Sequence, residues 1–390
     1  SGGTDCGVEP DCCRKGDYVC DTKPYPLPIF QTDPQTCTFT PPANQTDPCN
    51  QPYDPDETLI MNYVPPSCMK RFTPGQGARM RYVISESFPD GVLASVLVNT
   101  VSQNPVVSVT QTWNASSYPG GIARIQGNLT VKSGAILTIG AGLRVEFATT
   151  GKLIIEPNAR VNLNGTLSSW GCGQTWKGVE VQGTCNNINL CPKTSQYINP
   201  LTGTRAQGWL DCYWGAVIEK ASTAAQLWGP TVNQSGGIIS ARGTTFLNNQ
   251  TGIDFEPFRN FVPTTNATAN YFSSIQGCTF KTTKEIPDFP GPDFISFVDM
   301  KQVKGAAFRN CYFLNERKWK LAENIGHYGW GILAFSTNFT VTSCTFKGLG
   351  YGIQALKTGN FRNEPHLITD NDFYDCYIGT HTNFIQQGTI

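Results

Sequence analysis

Histidine is nearly absent from this chain of 390 residues. The three present, His327, His366 and His381, all lie in the last third. None stands near the amino-terminal cysteines to complete a zinc knuckle, and the spacing there contains no Cys-x-x-Cys. Charge is equally scarce, 15% of residues, with 29 basic side chains against 29 acidic. That balance removes the basic footprint expected of a partner for nucleic acid or an anionic membrane. No apolar run reaches the ~18 residues needed to span a bilayer. No signal-peptide pattern opens the chain, which reads as mature, processed or a fragment.

Cysteine, by contrast, is abundant. Seven of fifteen fall in the first 68 residues: Cys6, Cys12, Cys13, Cys20, Cys37, Cys49 and Cys68. Such density points to disulfides in an oxidising compartment, with a metal cluster as the alternative. Eight Asn-x-Ser/Thr sequons, from Asn44 to Asn338, mark a polar surface. The length suggests two domains.

Residues 1–84 hold one helix signal. Thr73 is an N-cap, Pro74 suits the first helical position, and Gln76 completes a capping box. Met80, Val83 and Ile84 then share an apolar face. Pro65-Pro66 enforces an extended or turn conformation beforehand, and Cys68, between turn and helix, is placed for a staple. The stretches "GDYVCDT" (Gly16–Thr22), "IMNY" (Ile60–Tyr63) and "SCMKRFTPGQGARM" (Ser67–Met80) resemble the pappalysin-like (cytophagalysin) branch of the metzincin metallopeptidases. Two departures are Asn62, where the family has Asp, and Lys23 before Pro24.

The resemblance implies that Met61 is the Met-turn methionine beneath the metal and that Tyr63 supports the transition state. It implies a calcium loop using Asp17 and Thr22, against the simpler reading of an Asp-capped turn. It also implies the pairs Cys13–Cys49 and Cys37–Cys68. Of Cys6, Cys12 and Cys20, a further pair Cys6–Cys20 is expected, leaving an odd thiol. The family's zinc ligands lie on His-Glu-x-x-His-x-x-Gly-x-x-His, which this sequence lacks. Zinc is therefore expected only if an upstream segment supplies it, and residue 1 falls inside a domain. The resemblance further implies an extracellular or cell-surface protein of a Bacteroidota-like bacterium.

Residues 85–117 read as a connector with one or two strands, and Trp113 as a plug for the next domain. From residue 118 the texture is of short alternating runs: Leu129–Val131, Ile136–Ile139, Arg144–Phe147, Lys152–Ile155 and Arg160–Leu163. Gly, Asn and Pro punctuate them, which fits a coil with single-residue corners. Phe246, Phe280, Phe313 and Phe346 recur at 34, 33 and 33 residues, and a fifth copy, "HLITDNDFYDCYIGTHT", is offset. A Gly-Ile element recurs at Gly237, Gly252, Gly331 and Gly352. Such a period marks stacked repeats. The fold class is thus mostly β: a right-handed parallel β-helix over 118–390, preceded by a small disulfide-rich lobe with one helix.

Breaks between rungs, near 183–212, 256–270, 281–297 and 314–329, are the places for a binding face. Cys172, Cys185, Cys191 and Cys212 flank the first and are expected to staple it. Trp209, Trp214, Trp319 and Trp330 lie in or beside the breaks, as candidates for stacking on sugars. Cys278, Cys311 and Cys344 each stand two residues before a repeat phenylalanine, so they should form a ladder of free, buried thiols with Cys376 at its edge. Asp370 and Asp372 are the nearest thing to paired carboxylates.

Three functions compete. The first is a cell-surface binding or scaffold module, a rigid coil for display or adhesion that meets a protein or glycan, with an incomplete peptidase lobe. The second is the carboxyl-terminal portion of a zinc metalloendopeptidase. The third is a polysaccharide-binding or polysaccharide-degrading β-helix. Covalent continuation is expected at both ends, since "FIQQGTI" offers no cap for a solenoid.

Overall fold

The computed structural model describes residues 32–40, 56–60, 65–73, 75–77, 79–80, 101–170, 175–184, 195–198, 206–231, 234–283, 295–316, 329–357, 366–383 and 388–389. The chain divides into two compact units, one on residues 1–99 and one on the bulk of 100–390.

In the first unit the capping box forms in both directions. The Gln76 amide donates to Thr73 Oγ1 and the Thr73 amide to Gln76 Oε1, each at 3.0 Å. Both residues are buried, and residues 75–77 and 79–80 are helical. Met80, placed by its spacing on an apolar face, is instead exposed. In the described residues, then, the reciprocal cap defines the start of this helix, and burial of Met80 contributes little. Pro65 and Pro66 open a turn whose carbonyls accept from the amides of Cys68 and Met69. Cys68 is bonded to Cys37 across 31 residues, with Cα atoms 5.4 Å apart. Closing a loop of that length is worth ~3–4 kcal/mol in the chain-entropy account.

The second unit is a parallel β-helix. Apart from a short antiparallel pair, Asn260–Phe261 with Thr268–Ala269, consecutive strands enter three sheets in turn, each strand pairs with its counterpart one rung later, and each sheet reaches ten strands. The first rung is Val101–Ser102, Val106–Val107 and Gln111–Trp113, so the coil takes in the later half of the 85–117 segment. Trp113 lies on this rung, 5.8 Å from the Tyr118 ring. The five strands read from the sequence between 129 and 163 occur with the same bounds. Alternation decides their faces: Leu153, Ile155, Val161 and Leu163 are fully buried, and the residues between them are not.

Because rungs stack in register, equivalent residues form columns. One runs Ala123, Val145, Leu167, Ile218, Phe246, Phe280, Phe313, Phe346 and Phe373. Its five rings lie parallel at centroid spacings of 4.5, 4.9, 4.6 and 5.0 Å, close to the ~4.8 Å strand separation. The offset fifth repeat thus joins the stack through Phe373. In the second sheet, a Cβ at Gly252, Gly331 or Gly352 would meet the carbonyl oxygen of Phe297, Gly352 or Gly379 at 2.2, 2.4 and 2.5 Å. This close approach accounts for three of the four Gly-Ile elements; Gly237 instead precedes a strand of the third sheet.

On the five rungs that carry the phenylalanine stack, the corner from the third sheet to the first turns on a left-handed residue. Gly243, Gly277, Asn310, Ser343 and Asp370 have φ of 58, 61, 52, 53 and 56°, a region open to Gly and to short polar side chains. The residue after the corner points inward. Cys278, Cys311 and Cys344 are free and buried there, each thiol donating to the carbonyl two residues back at 3.3–3.4 Å.

Cys376 is not the edge of this ladder. It follows Asp375 (φ 51°) at the corner from the first sheet to the second, three residues after Phe373 rather than two before it, and is only partly buried. Cys212 is not a staple either. It pairs in register with Leu163 and Ala241, faces the core with Leu210, and is a free thiol.

Candidate active site

The outer face of the second sheet gathers the charge that the rest of the coil neutralises. On the strand Thr251–Phe255, Ile253 and Phe255 are fully buried; on Ser296–Lys301, Val298 and Met300 are. Alternation therefore turns Asp254 and Asp299 outward. The two are register partners on adjacent rungs, so their Cα atoms stand about 4.8 Å apart. Asp254 Oδ2 accepts a hydrogen bond from Trp228 Nε1 at 2.7 Å. Among the described residues, Oδ1 of Asp254 and Oδ1 of Asp299 are both buried without a hydrogen-bond partner.

One outward position further along, Glu256 and Lys301 form an ion pair at 2.5 Å. Three carboxylates thus share one ammonium. Burial pushes Asp299 up to about 6; Asp254 and Glu256 reinforce the shift while Lys301 opposes it. Burial likewise raises Asp254 against the pull of the Trp228 indole and Lys301. Like charges at this separation cannot both ionise freely, so the pair keeps a proton up to about pH 6. A carboxyl pair in that state can donate and accept hydrogen bonds to hydroxyls, or act as acid and base.

Up the same column from Asp299 come Leu333, Gln354 and His381. Gln354 accepts from Trp330 Nε1 at 2.7 Å and lies 2.8 Å from His381 Nδ1. The Trp330 ring is parallel to that of Tyr351 at 6.0 Å. The second sheet therefore offers two carboxyls, a lysine and an indole at each end of a short strip.

Of the tryptophans singled out from sequence, Trp330 belongs to this strip. Trp209 lies in the third sheet beneath the Arg160 guanidinium, 4.8 Å from its ring centroid. Trp214 is 76% exposed at the corner leading to the first sheet. Trp319 lies outside the described residues, as do Met61, Tyr63, Asp17, Thr22, Cys6, Cys13, Cys20 and Cys49. Asp370 and Asp372 are not the carboxylate pair of this fold. Asp370 turns a corner and Asp372 opens the next strand, while Asn371 between them binds the Cys344 amide and the Val341 carbonyl.

Asp254, Asp299, Glu256 and Trp228 escaped the reading of the sequence. The signal was present in "GIDF" and "FVDM", where an acid sits between two core residues. It was hidden by spacing: 299 − 254 is 45, well beyond the repeat of 33–34, because an insertion intervenes. No family model, curated protein or solved structure matches the chain.

Proposed function

We propose that this chain is a surface module that holds a polysaccharide against the second sheet of its β-helix. The observation that carries the reading is the Asp254–Asp299 pair, with two buried carboxyl oxygens that have no hydrogen-bond partner among the described residues, beside Trp228 and Lys301. Carboxylates bind vicinal hydroxyls, and indoles stack on the apolar faces of sugar rings. Titration of the chain with soluble glucans, xylan, galactomannan and polygalacturonate tests it. Asp254→Asn and Asp299→Asn should each weaken binding of at least one of these polymers at least about tenfold, the worth of one charge-assisted hydrogen bond. Binding to none of these polymers, or variants that bind every one of them as the parent does, would refute it.

Hydrolysis is the second reading, favoured by the proton the pair is poised to share. One carboxyl would protonate the glycosidic oxygen while the other serves as base or nucleophile. Release of reducing ends by the parent but not by either Asn variant distinguishes it from binding alone.

For the first unit, the reciprocal cap at Thr73 and the Cys37–Cys68 bond support the metzincin resemblance. The zinc-binding motif is missing from the sequence, and no group of metal ligands occurs among the described residues. The described residues do not fit a catalytic zinc. The chain on its own should hold no stoichiometric zinc and cleave no peptide; one tightly held zinc per chain in metal analysis would overturn this.

A further inference from the structure

Trp214 is the most exposed large hydrophobic side chain described, at 76%, yet its position is tightly defined. A Cβ built on Gly243 would lie 2.1 Å from Trp214 Cε3, and one on Gly277 would lie 3.6 Å from Cη2. The indole is therefore laid across the corners of the next two rungs, its inner face on backbone and its outer face bare. Conformation alone does not demand glycine at these corners. Asn310, Ser343 and Asp370 turn the same corner on later rungs with the same left-handed φ. What sets Gly243 apart is the ring that takes the place of its side chain.

The neighbourhood indicates what the bare face is for. One rung above Gly277, and two residues past the corner, Tyr312 is 51% exposed. Its partners below and above are Thr279 and Thr345, and Thr245 precedes them in the column. Two exposed aromatic rings beside a column of threonine hydroxyls suit a pyranose ring: C–H groups stack on the indole while hydroxyls meet threonine and tyrosine. A protein partner would need the apolar margin that the threonines interrupt. The second sheet lies on the opposite side of the coil, since this corner joins the third sheet to the first.

We propose that Trp214, seated on Gly243 and Gly277, and Tyr312 form a second saccharide-binding platform, separate from the carboxyl pair. The probes are hydroxyethyl cellulose, laminarin, xylan and galactomannan, each cast in a native gel through which the full chain migrates. At least one should retard the parent protein. Trp214→Ala should weaken that retention about tenfold, and Tyr312→Ala less.

Gly243→Asn is the decisive variant. Asparagine tolerates the left-handed corner, so the fold survives, but its Cβ occupies the seat of the indole. Retention should fall as it does for Trp214→Ala, while thermal unfolding stays close to the parent's. Gly120→Asn, at a left-handed position away from Trp214 where a Cβ meets nothing within 4 Å, should change neither. Asp254→Asn and Asp299→Asn should leave intact the retention that Trp214→Ala loses, which separates this platform from the carboxyl site. Failure of all four polymers to retard the parent, or full retention by Trp214→Ala, would overturn the proposal. So would equal loss in the Asp variants.

Discussion

On the rungs between residues 122 and 219, the carboxylates of the outer faces are met by bases. Arg124 contacts Glu146 at 3.1 Å, Arg144 bridges Glu146 and Glu219 at 2.9 and 2.6 Å, and Lys152 meets Glu180 at 2.5 Å. On the rungs between 251 and 301, Asp254 and Asp299 face each other, and the one lysine beside them is already held by Glu256. The fold is the same in both places, so the coil does not require the second arrangement. Uncompensated charge next to an insertion is what a ligand-binding face looks like; compensated charge in the rungs 122–163 is what a structural one looks like. The pH dependence of the two should therefore have opposite signs.

The largest effect tests the compensated region. Among the described residues, Arg144 is the base in ion-pair contact with Glu219, which is mostly buried. Arg144→Met leaves Glu219 without its ion-pair partner, while Glu146 keeps Arg124, and should cost about 3–5 kcal/mol in chemical denaturation. Lys301→Met removes the base from the other cluster. There the carboxyls are already inclined to keep protons, so the cost should be smaller at pH 5 than at pH 8. Equal costs for both variants at both pH values would erase the distinction.

A second, smaller effect is the sign of the pH dependence itself. Asp299 titrates at about 6 in the fold and at ~3.9 when unfolded. Between those values the native state holds more protons, so its stability falls as pH rises, by about 2 kcal/mol across the window. Glu219 behaves oppositely. Burial pushes it up, but Arg144, Lys220 and the Ser168 hydroxyl outweigh burial and hold it below the usual range. Its contribution is present above ~4.3 and is lost as pH falls through the lower native value. Asp299→Asn should remove the loss between pH 4 and 6, and Glu219→Gln should remove the loss in acid. Denaturation midpoints across that range check both; a parent-like profile in Asp299→Asn would break the comparison.

The coil was legible in the sequence because its code is local and periodic. Alternation over Lys152–Ile155 or Arg160–Leu163 fixes the buried face, and a 33-residue recurrence of phenylalanine fixes the stack. The capping box at Thr73 was legible for the same reason. The carboxyl pair was not, since Asp254 and Asp299 become neighbours only through register across an insertion of uneven length. Trp214 could be named but not understood, because its seat on Gly243 depends on which corner follows it one rung later. Cys212 misled because flanking an insertion looks like stapling it, whereas strand alternation had already turned its side chain inward.

The smallest expected effect concerns the inner column beside the phenylalanines. It begins with Ala216 and Thr244 and continues as Cys278, Cys311 and Cys344, each following the left-handed corner residue. Thr244 is fully buried, and its hydroxyl lies 3.5 Å from the Arg242 carbonyl. Cys311 donates to the Arg309 carbonyl in the same way at 3.3 Å. The site therefore already accepts a hydroxyl in place of a thiol. Cys311→Ser should cost no more than about 1 kcal/mol, because its hydroxyl inherits an acceptor. Cys311→Val removes the donor and adds a branched carbon to a packed column, so it should cost more. Cys278, Cys311 and Cys344 should resist thiol reagents in the folded chain and react fully after unfolding without reductant. A Cys311→Ser penalty well above that of Val would show that the column is held by sulfur packing rather than by the corner hydrogen bond. Thiols that stayed silent after unfolding would show that they are not free.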